Sequence, residues 1–64
     1  MTYTFYIDQI KKPPIEASNN AEAAKRFAAR EFGVEADIAN MRELIEYCLD
    51  NGYNIAIGRD NETV

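Results

Sequence analysis

Hydrophobic and polar positions alternate in two segments, one near each end of the chain. In residues 2–8 (TYTFYID) and again in residues 53–58 (YNIAIG), a hydrophobic side chain occupies every second position. This period of two, in residues that favour extended backbone, is typical of β-strands with one buried side. We therefore predict strands near both segments. The expected buried side holds Tyr3, Phe5, Ile7, Tyr53, Ile55 and Ile57, and the opposite side holds Thr2, Thr4, Tyr6, Asn54, Ala56 and Gly58.

Between these segments, hydrophobic residues recur with the spacing of two α-helices. Asn19 precedes Glu22 by three residues, and Asn40 precedes Glu43 in the same way, a spacing that satisfies free N–H groups at helix starts. A glycine follows each hydrophobic run, where helices often end. The predicted helices cover residues 20–32, ending before Gly33, and 41–51, ending before Gly52. Their expected core residues are Ala21, Ala24, Phe27, Ala28 and Phe32, and then Met41, Leu44, Ile45, Cys48 and Leu49.

The remaining segments connect these elements into one domain. The prolines of residues 11–14 (KKPP) predict a turn, and residues 15–17 (IEA) a short second strand that pairs back onto the first. The resulting order is strand, strand, helix, helix, strand. We expect a single α+β domain over residues 1–64, in which a small antiparallel sheet of two to three strands carries both helices on one face.

The charge of the chain is unevenly distributed. Residues 1–30 contain five basic and three acidic side chains, whereas residues 31–64 contain two basic and eight acidic ones, for a net charge of −4. A net negative domain repels nucleic acid at long range and attracts basic surfaces. With only 64 residues and a core near the lower limit for independent folding, the chain is also expected to use a partner or a second copy.

The residue types on which most active sites depend are scarce. The chain has no histidine, and its one cysteine, Cys48, lies on the predicted core side of the second helix. Its three glycines form no phosphate-binding loop, and no acidic loop has the spacing of calcium ligands. We expect no catalytic residues, no metal, no cofactor and no enzymatic activity. Because the N-terminus lacks a signal-peptide pattern and no apolar run reaches membrane-spanning length, we expect a cytoplasmic protein that binds no membrane.

The first candidate surface is the basic side of the first helix and the turn before it. It comprises Lys11, Lys12, Lys25, Arg26 and Arg30. Such a cluster favours contact with phosphates. Against this, Glu22 lies four residues before Arg26, in the orientation of an intrahelical ion pair, and no aromatic residue interleaves the cluster for base stacking. A solvated helix face is the simpler interpretation, and a nucleic-acid-binding accessory protein is the alternative.

The second candidate surface is the acidic ridge, which we define as Glu43, Glu46 and Asp50 of the second helix. Glu46 and Asp50 are like charges four residues apart, and Asp50 falls in the last turn, where the helix dipole disfavours an anion. Glu35 and Asp37 precede the ridge, and Tyr47 flanks it. Spaced carboxylates beside a tyrosine present a basic partner with a charge pattern like that of nucleic acid. An ordinary solubilising face is the alternative.

The third candidate surface is the outer side of the sheet. Tyr6, Asn54 and Ala56 form a face there for a homodimer or a homo-oligomeric module, with Tyr6 packing across Gly58 as the structural alternative. The edges of so short a sheet also invite strand addition by another chain.

Residues 32–58 (FGVEADIANMRELIEYCLDNGYNIAIG), with their acidic helix, resemble small phage and mobile-element inhibitors of the anti-CRISPR kind. The resemblance covers architecture and charge over about the last half of the chain. It implies a cytoplasmic protein, inside the host cell if phage-encoded, that occupies the basic nucleic-acid-binding surface of a protein or nucleoprotein complex and does not bind nucleic acid itself. The implied contacts are Glu35, Asp37, Glu43, Glu46 and Asp50, with Tyr47 as anchor.

Overall fold

The first strand, β1 (Thr2–Ile7), is the centre of an antiparallel sheet in the computed structural model, which describes residues 1–59. The other elements follow in chain order: β2 (Ile10–Lys11), β3 (Ile15–Glu16), α1 (Asn20–Phe32), a 3₁₀ turn (Val34–Ala36), α2 (Met41–Asp50) and β4 (Ile55–Arg59). The predicted α+β fold, with two helices and a small antiparallel sheet, is confirmed. Its order has one strand more than predicted, because β2 precedes the expected second strand.

The position of the hairpin turn differs from the prediction. The chain reverses at Asp8 and Gln9, whose φ angles are 52° and 69°, rather than at the prolines. Two left-handed residues in succession suit a two-residue hairpin, since their twist matches that of the flanking strands. Pro13 and Pro14 instead interrupt the returning strand, because proline cannot donate a ladder hydrogen bond. The sequence prediction missed this, since neither Asp8 nor Gln9 is a glycine.

The register places the two halves of the returning strand on one edge of β1 and the last strand on the other. β2 pairs with Tyr6 and Ile7, and β3 pairs with Thr2 and Tyr3. β4 pairs antiparallel with residues 3–7 of β1, from Ile7 opposite Ile55 to Tyr3 opposite Arg59. The last strand therefore begins two residues later than predicted, and Tyr53 lies outside it.

Both helices begin with the predicted caps. The Asn19 side chain accepts from the Glu22 N–H at 2.8 Å, and the Asn40 side chain accepts from the Glu43 N–H at 2.9 Å. The Glu22 carboxylate in turn accepts from the backbone N–H of Ser18, and the Glu43 carboxylate accepts from that of Ala39, in each case the residue before the N-cap asparagine. These contacts satisfy N–H groups that no intrahelical bond can reach.

The core lies between β1 and the two helices. The rings of Phe5 and Phe27 stack with centroids 4.2 Å apart, and Leu44 and Cys48 of α2 are fully buried in the same cluster. Alanines let α1 approach the sheet closely, and the buried ones include Ala23, which the sequence prediction omitted. Two residues predicted on the buried side are exposed, Leu49 at 60% and Tyr53 at 36%.

Candidate functional site

The basic side chains of α1 are largely neutralised by acidic neighbours within the fold. Arg26 pairs with Glu22 at 3.3 Å, one turn earlier on the helix. The carboxylate of Glu31 accepts from Arg30 through one oxygen at 3.2 Å and pairs with Lys12 through the other at 3.6 Å. Three of the five predicted basic residues are therefore engaged in intramolecular ion pairs.

Arg30 also has a structural role. One of its terminal nitrogens donates to the carbonyl oxygen of Pro13 at 2.8 Å, and its guanidinium lies 5.6 Å from the centre of the Phe27 ring. A guanidinium over an aromatic face adds a cation–π contact to its hydrogen bonds. Arg30 thus ties α1 to the interrupted edge strand, which reduces its availability for phosphates.

The other two predicted basic residues, Lys11 and Lys25, lie outside these ion pairs. Lys11 is exposed beside Tyr6 on the sheet, and Lys25 lines a shallow depression of about 230 Å³ together with Asp37 and Ile38. Neither lysine pairs with an acidic side chain among those that the structure describes. The structure therefore divides the five predicted basic residues into three that form ion pairs and two lysines that form none with the described side chains.

The acidic ridge is exposed along the outer side of α2. Glu46 pairs with Arg42 at 3.6 Å, but both side chains remain mostly exposed, at 61% and 87%. Glu43 is occupied at the helix start by its bond to the Ala39 N–H, whereas Asp50 is exposed in the last turn. Asp50 has no ion-pair partner among the described side chains, and it opposes the helix dipole. The ridge thus has one weak internal counter-charge for its three carboxylates.

Glu35 and Asp37 lie apart from the ridge. Both are exposed in the segment between the helices, where Asp37 adopts a left-handed φ of 54°. Asp37 borders the depression that Lys25 also lines, on the side of α1. Neither carboxylate forms an ion pair with a side chain in the described part of the chain. They therefore extend the acidic character toward α1 without joining the α2 row.

Tyr47 packs against the protein rather than standing free on the ridge. It is half-buried, and its ring centroid lies 5.0 Å from that of Phe32, which also stacks on Tyr53 at 5.7 Å. These rings extend the core along one flank of α2. On the opposite flank, Leu49 is exposed, one helical turn after Glu46 and next to Asp50. The exposed apolar residue of this surface is therefore Leu49.

A signal for Leu49 was present in the sequence. Leu49 follows Cys48 by one residue, which is about 100° around a helix. The second helix contains more hydrophobic residues than one core-facing side can hold, so one of its two flanks had to be exposed. Which flank that would be depends on Phe32, which lies outside α2, stacks on Tyr53 and packs against Tyr47.

The outer side of the sheet is flat and carries small residues. Tyr6 is half-buried between Lys11 on one neighbouring strand and Ala56 on the other. Asn54 precedes β4, and its backbone is engaged by Asp8: the Asp8 N–H donates to the Asn54 carbonyl at 2.8 Å, and the Asn54 N–H donates to the Asp8 carboxylate at 3.0 Å. The predicted face therefore consists of Tyr6 and Ala56, while Asn54 anchors the hairpin turn.

Three side chains in the described part of the chain have pKa values that differ from their ordinary ones. Burial raises the pKa of the Cys48 thiol, and hydrogen bonds from the backbone and hydroxyl of Ser18 lower the pKa of Glu22. The hydroxyl of Thr2 and then the nearby N-terminal amine lower the pKa of Glu16. Among residues 1–59, no cluster of three potential metal ligands is present.

Comparison of the chain with known protein families, with curated proteins and with solved structures gives no match. In residues 1–59, no helix has both the length and the apolar composition that crossing a bilayer requires. The function is therefore inferred from the charge and packing of the three candidate surfaces.

Proposed function

We propose that this protein is a non-enzymatic binding module, and that its acidic ridge docks on the basic nucleic-acid-binding surface of a partner complex, as an inhibitor of the anti-CRISPR kind would. The observation that supports this is the unequal compensation of charge within the fold. The basic residues Lys12, Arg26 and Arg30 are paired with the protein's own carboxylates. Among the side chains that the structure describes, the ridge pairs only with Arg42, at 3.6 Å and almost fully exposed.

This asymmetry favours a basic partner over nucleic acid. Binding to DNA or RNA through Lys12 and Arg30 would require both to leave the carboxylate that they share, Glu31, whose side chain is only 22% exposed. Docking of the ridge on a basic surface breaks at most the exposed Arg42–Glu46 pair, and such exposed pairs contribute about 0–1 kcal/mol. The lower cost therefore belongs to the acidic surface.

Leu49 replaces Tyr47 as the apolar contact in this proposal. Carboxylates around an exposed apolar side chain reproduce the usual anatomy of an interface, in which a dry centre is surrounded by a polar rim. Leu49 lies beside Glu46 and Asp50 and is 60% exposed, whereas Tyr47 is held by Phe32. A partner that fits this surface has an apolar depression bordered by lysines or arginines.

The test measures whether the protein displaces labelled DNA or RNA from purified basic nucleic-acid-binding complexes, CRISPR effector complexes among them. The ridge variant E46Q/D50N removes two negative charges but leaves the Glu43 cap intact. We expect it to lower the association rate, because it removes part of the roughly tenfold to thousandfold acceleration that steering between opposite charges gives. The rate for the unmodified protein should fall as salt increases, since the Debye length is about 8 Å at physiological ionic strength.

The matched control is Q9K/A29K, which changes the net charge by the same amount at two exposed positions away from the ridge. It should retain most of the displacement activity. Equal losses in both variants would mean that only the total charge matters. Direct binding of DNA by the protein, abolished by R26E/R30E, would contradict the proposal and assign function to the basic side of α1.

A further inference from the structure

The last strand, β4, has one edge that no other described strand covers. Within residues 1–59, β4 pairs only with β1. The Asp8 N–H donates to the Asn54 carbonyl, so the alternation of an antiparallel ladder directs the N–H and C=O groups of Ala56 and Gly58 toward β1. Those of Ile55 and Ile57 consequently point to the uncovered edge.

The opposite edge of the sheet, unlike that of β4, is protected against pairing with another strand. There the returning strand is split into two short pieces by Pro13 and Pro14, and Lys11 and Lys12 lie next to the break. Prolines, lysines and very short strands are the usual devices that prevent edge-to-edge pairing. β4, with the sequence IAIGR, contains no proline and no lysine, and its one charged residue, Arg59, is the last of the strand. An edge of this kind is a template on which another strand can pair.

We propose that β4 pairs antiparallel with β4 of a second copy of this chain, about a two-fold axis that passes beside Ile57. In this register Ile57 lies opposite Ile57 of the second copy, and the two exchange a pair of hydrogen bonds through the outward-pointing groups. The N–H and C=O groups of Ile55 meet those of Arg59 in the same way. The edge is therefore self-complementary when a second copy is rotated by half a turn.

The side chains fit the same register. On the helix side of the sheet, Ile55 and Ile57 are only half-buried in one copy, so pairing covers apolar surface that the monomer leaves partly in water. On the outer side, Ala56 of one copy lies opposite Gly58 of the other, and neither brings bulk or charge to the contact. A chain of this length has a small core, so burial of this kind adds appreciably to its stability.

The first experiment is amide hydrogen exchange by NMR at low and high concentrations of the unmodified protein, together with its mass in solution. In the dilute monomer, the amides of Ala56 and Gly58 should exchange slowly because β1 covers them, whereas those of Ile55 and Ile57 should exchange fast. At high concentration the mass should double, and the Ile55 and Ile57 amides should become protected. A dimer through the outer sheet face, centred on Tyr6, would leave these two amides fast.

A charge-swap pair provides the second experiment. Ala56 is exposed, and a Cβ at Gly58 would meet no atom within 4 Å, so both positions accept longer side chains. The variant A56K/G58K places lysines directly opposite lysines across the proposed axis, and A56E/G58E does the same with glutamates. Each variant alone should be monomeric, and an equimolar mixture should form a dimer.

Several results would overturn the proposal. A protein that stays monomeric at every concentration has no such interface, and one that dimerises while the Ile57 amide remains fast uses another surface. Slow exchange of Ile55 and Ile57 in the dilute monomer would show that the edge is covered from within the chain. A mixture of the two charge variants that remains monomeric, with both variants folded, would also contradict the register.

Discussion

Replacement of Leu44 and Leu49 by alanine, one at a time, tests how α2 is rotated about its axis. The two leucines lie on the same helix and lose the same atoms, but Leu44 is fully buried and Leu49 is 60% exposed. In a fully buried position, Leu→Ala costs about 2–5 kcal/mol, through lost transfer energy and the cavity left behind. At an exposed helical position the change is usually within about 0.5 kcal/mol, and alanine favours the helix slightly.

The expected difference is large for a domain of this size. A core this small rarely supplies more than about 3–5 kcal/mol, so Leu44→Ala should leave much of the protein unfolded without denaturant. Leu44→Val is therefore measured as well, since the loss of one buried methylene costs about 0.8 kcal/mol and keeps the fold measurable. Urea unfolding followed by circular dichroism gives the free energy of unfolding for each variant.

Leu49→Ala should unfold at nearly the same urea concentration as the unmodified protein. If it is instead as destabilising as Leu44→Ala, then Leu49 belongs to the core, and α2 is rotated away from the orientation described above. That result would also displace Glu46 and Asp50 from the outer side, which would remove the structural support for the acidic ridge as a docking surface. With the orientation confirmed, Leu49→Ala should weaken partner binding without loss of stability.

Two further predictions concern single titratable groups. Cys48 is fully buried and its pKa is raised by burial, so a thiol reagent should modify it slowly in the folded protein and rapidly in urea; fast labelling of the folded protein would place the thiol at the surface. Hydrogen bonds from Ser18 lower the pKa of Glu22 below its usual value of 4.5 in the folded protein. The charged Glu22 carboxylate therefore stabilises the fold above pH 4.5, and this stabilisation is lost as the pH falls through the lower pKa of the folded state. Unfolding measured from neutral to acidic pH should therefore show Glu22→Gln less stable than the unmodified protein at neutral pH and nearly equal to it in acid, whereas a constant difference would contradict this role of the charged carboxylate.

The helices were predictable from the sequence because the interactions that define them are local. Asn19 and Glu22, like Asn40 and Glu43, contact groups within four residues along the chain. The alternation in β1 is equally local, and its buried side is the predicted one. By contrast, the hairpin turn was misplaced, because Asp8 and Gln9 adopt left-handed angles without glycine, and the prolines gave the stronger signal.

What the sequence alone determined is the two helices, the strands β1, β3 and β4, their order and the total charge on each half of the chain, whereas β2 was missed. The tertiary structure decided which charges remain available. Glu31 reaches Lys12 from a distant segment and pairs with Arg30 at the same time, which compensates two cations within the fold. It also decided the rotation of α2, because Tyr47 packs on Phe32, which itself stacks on Tyr53, and Leu49 is left exposed. The physical reason is the same in both cases: local patterns specify backbone conformation, whereas compensation of charge and burial of aromatic rings depend on neighbours that only folding brings into contact.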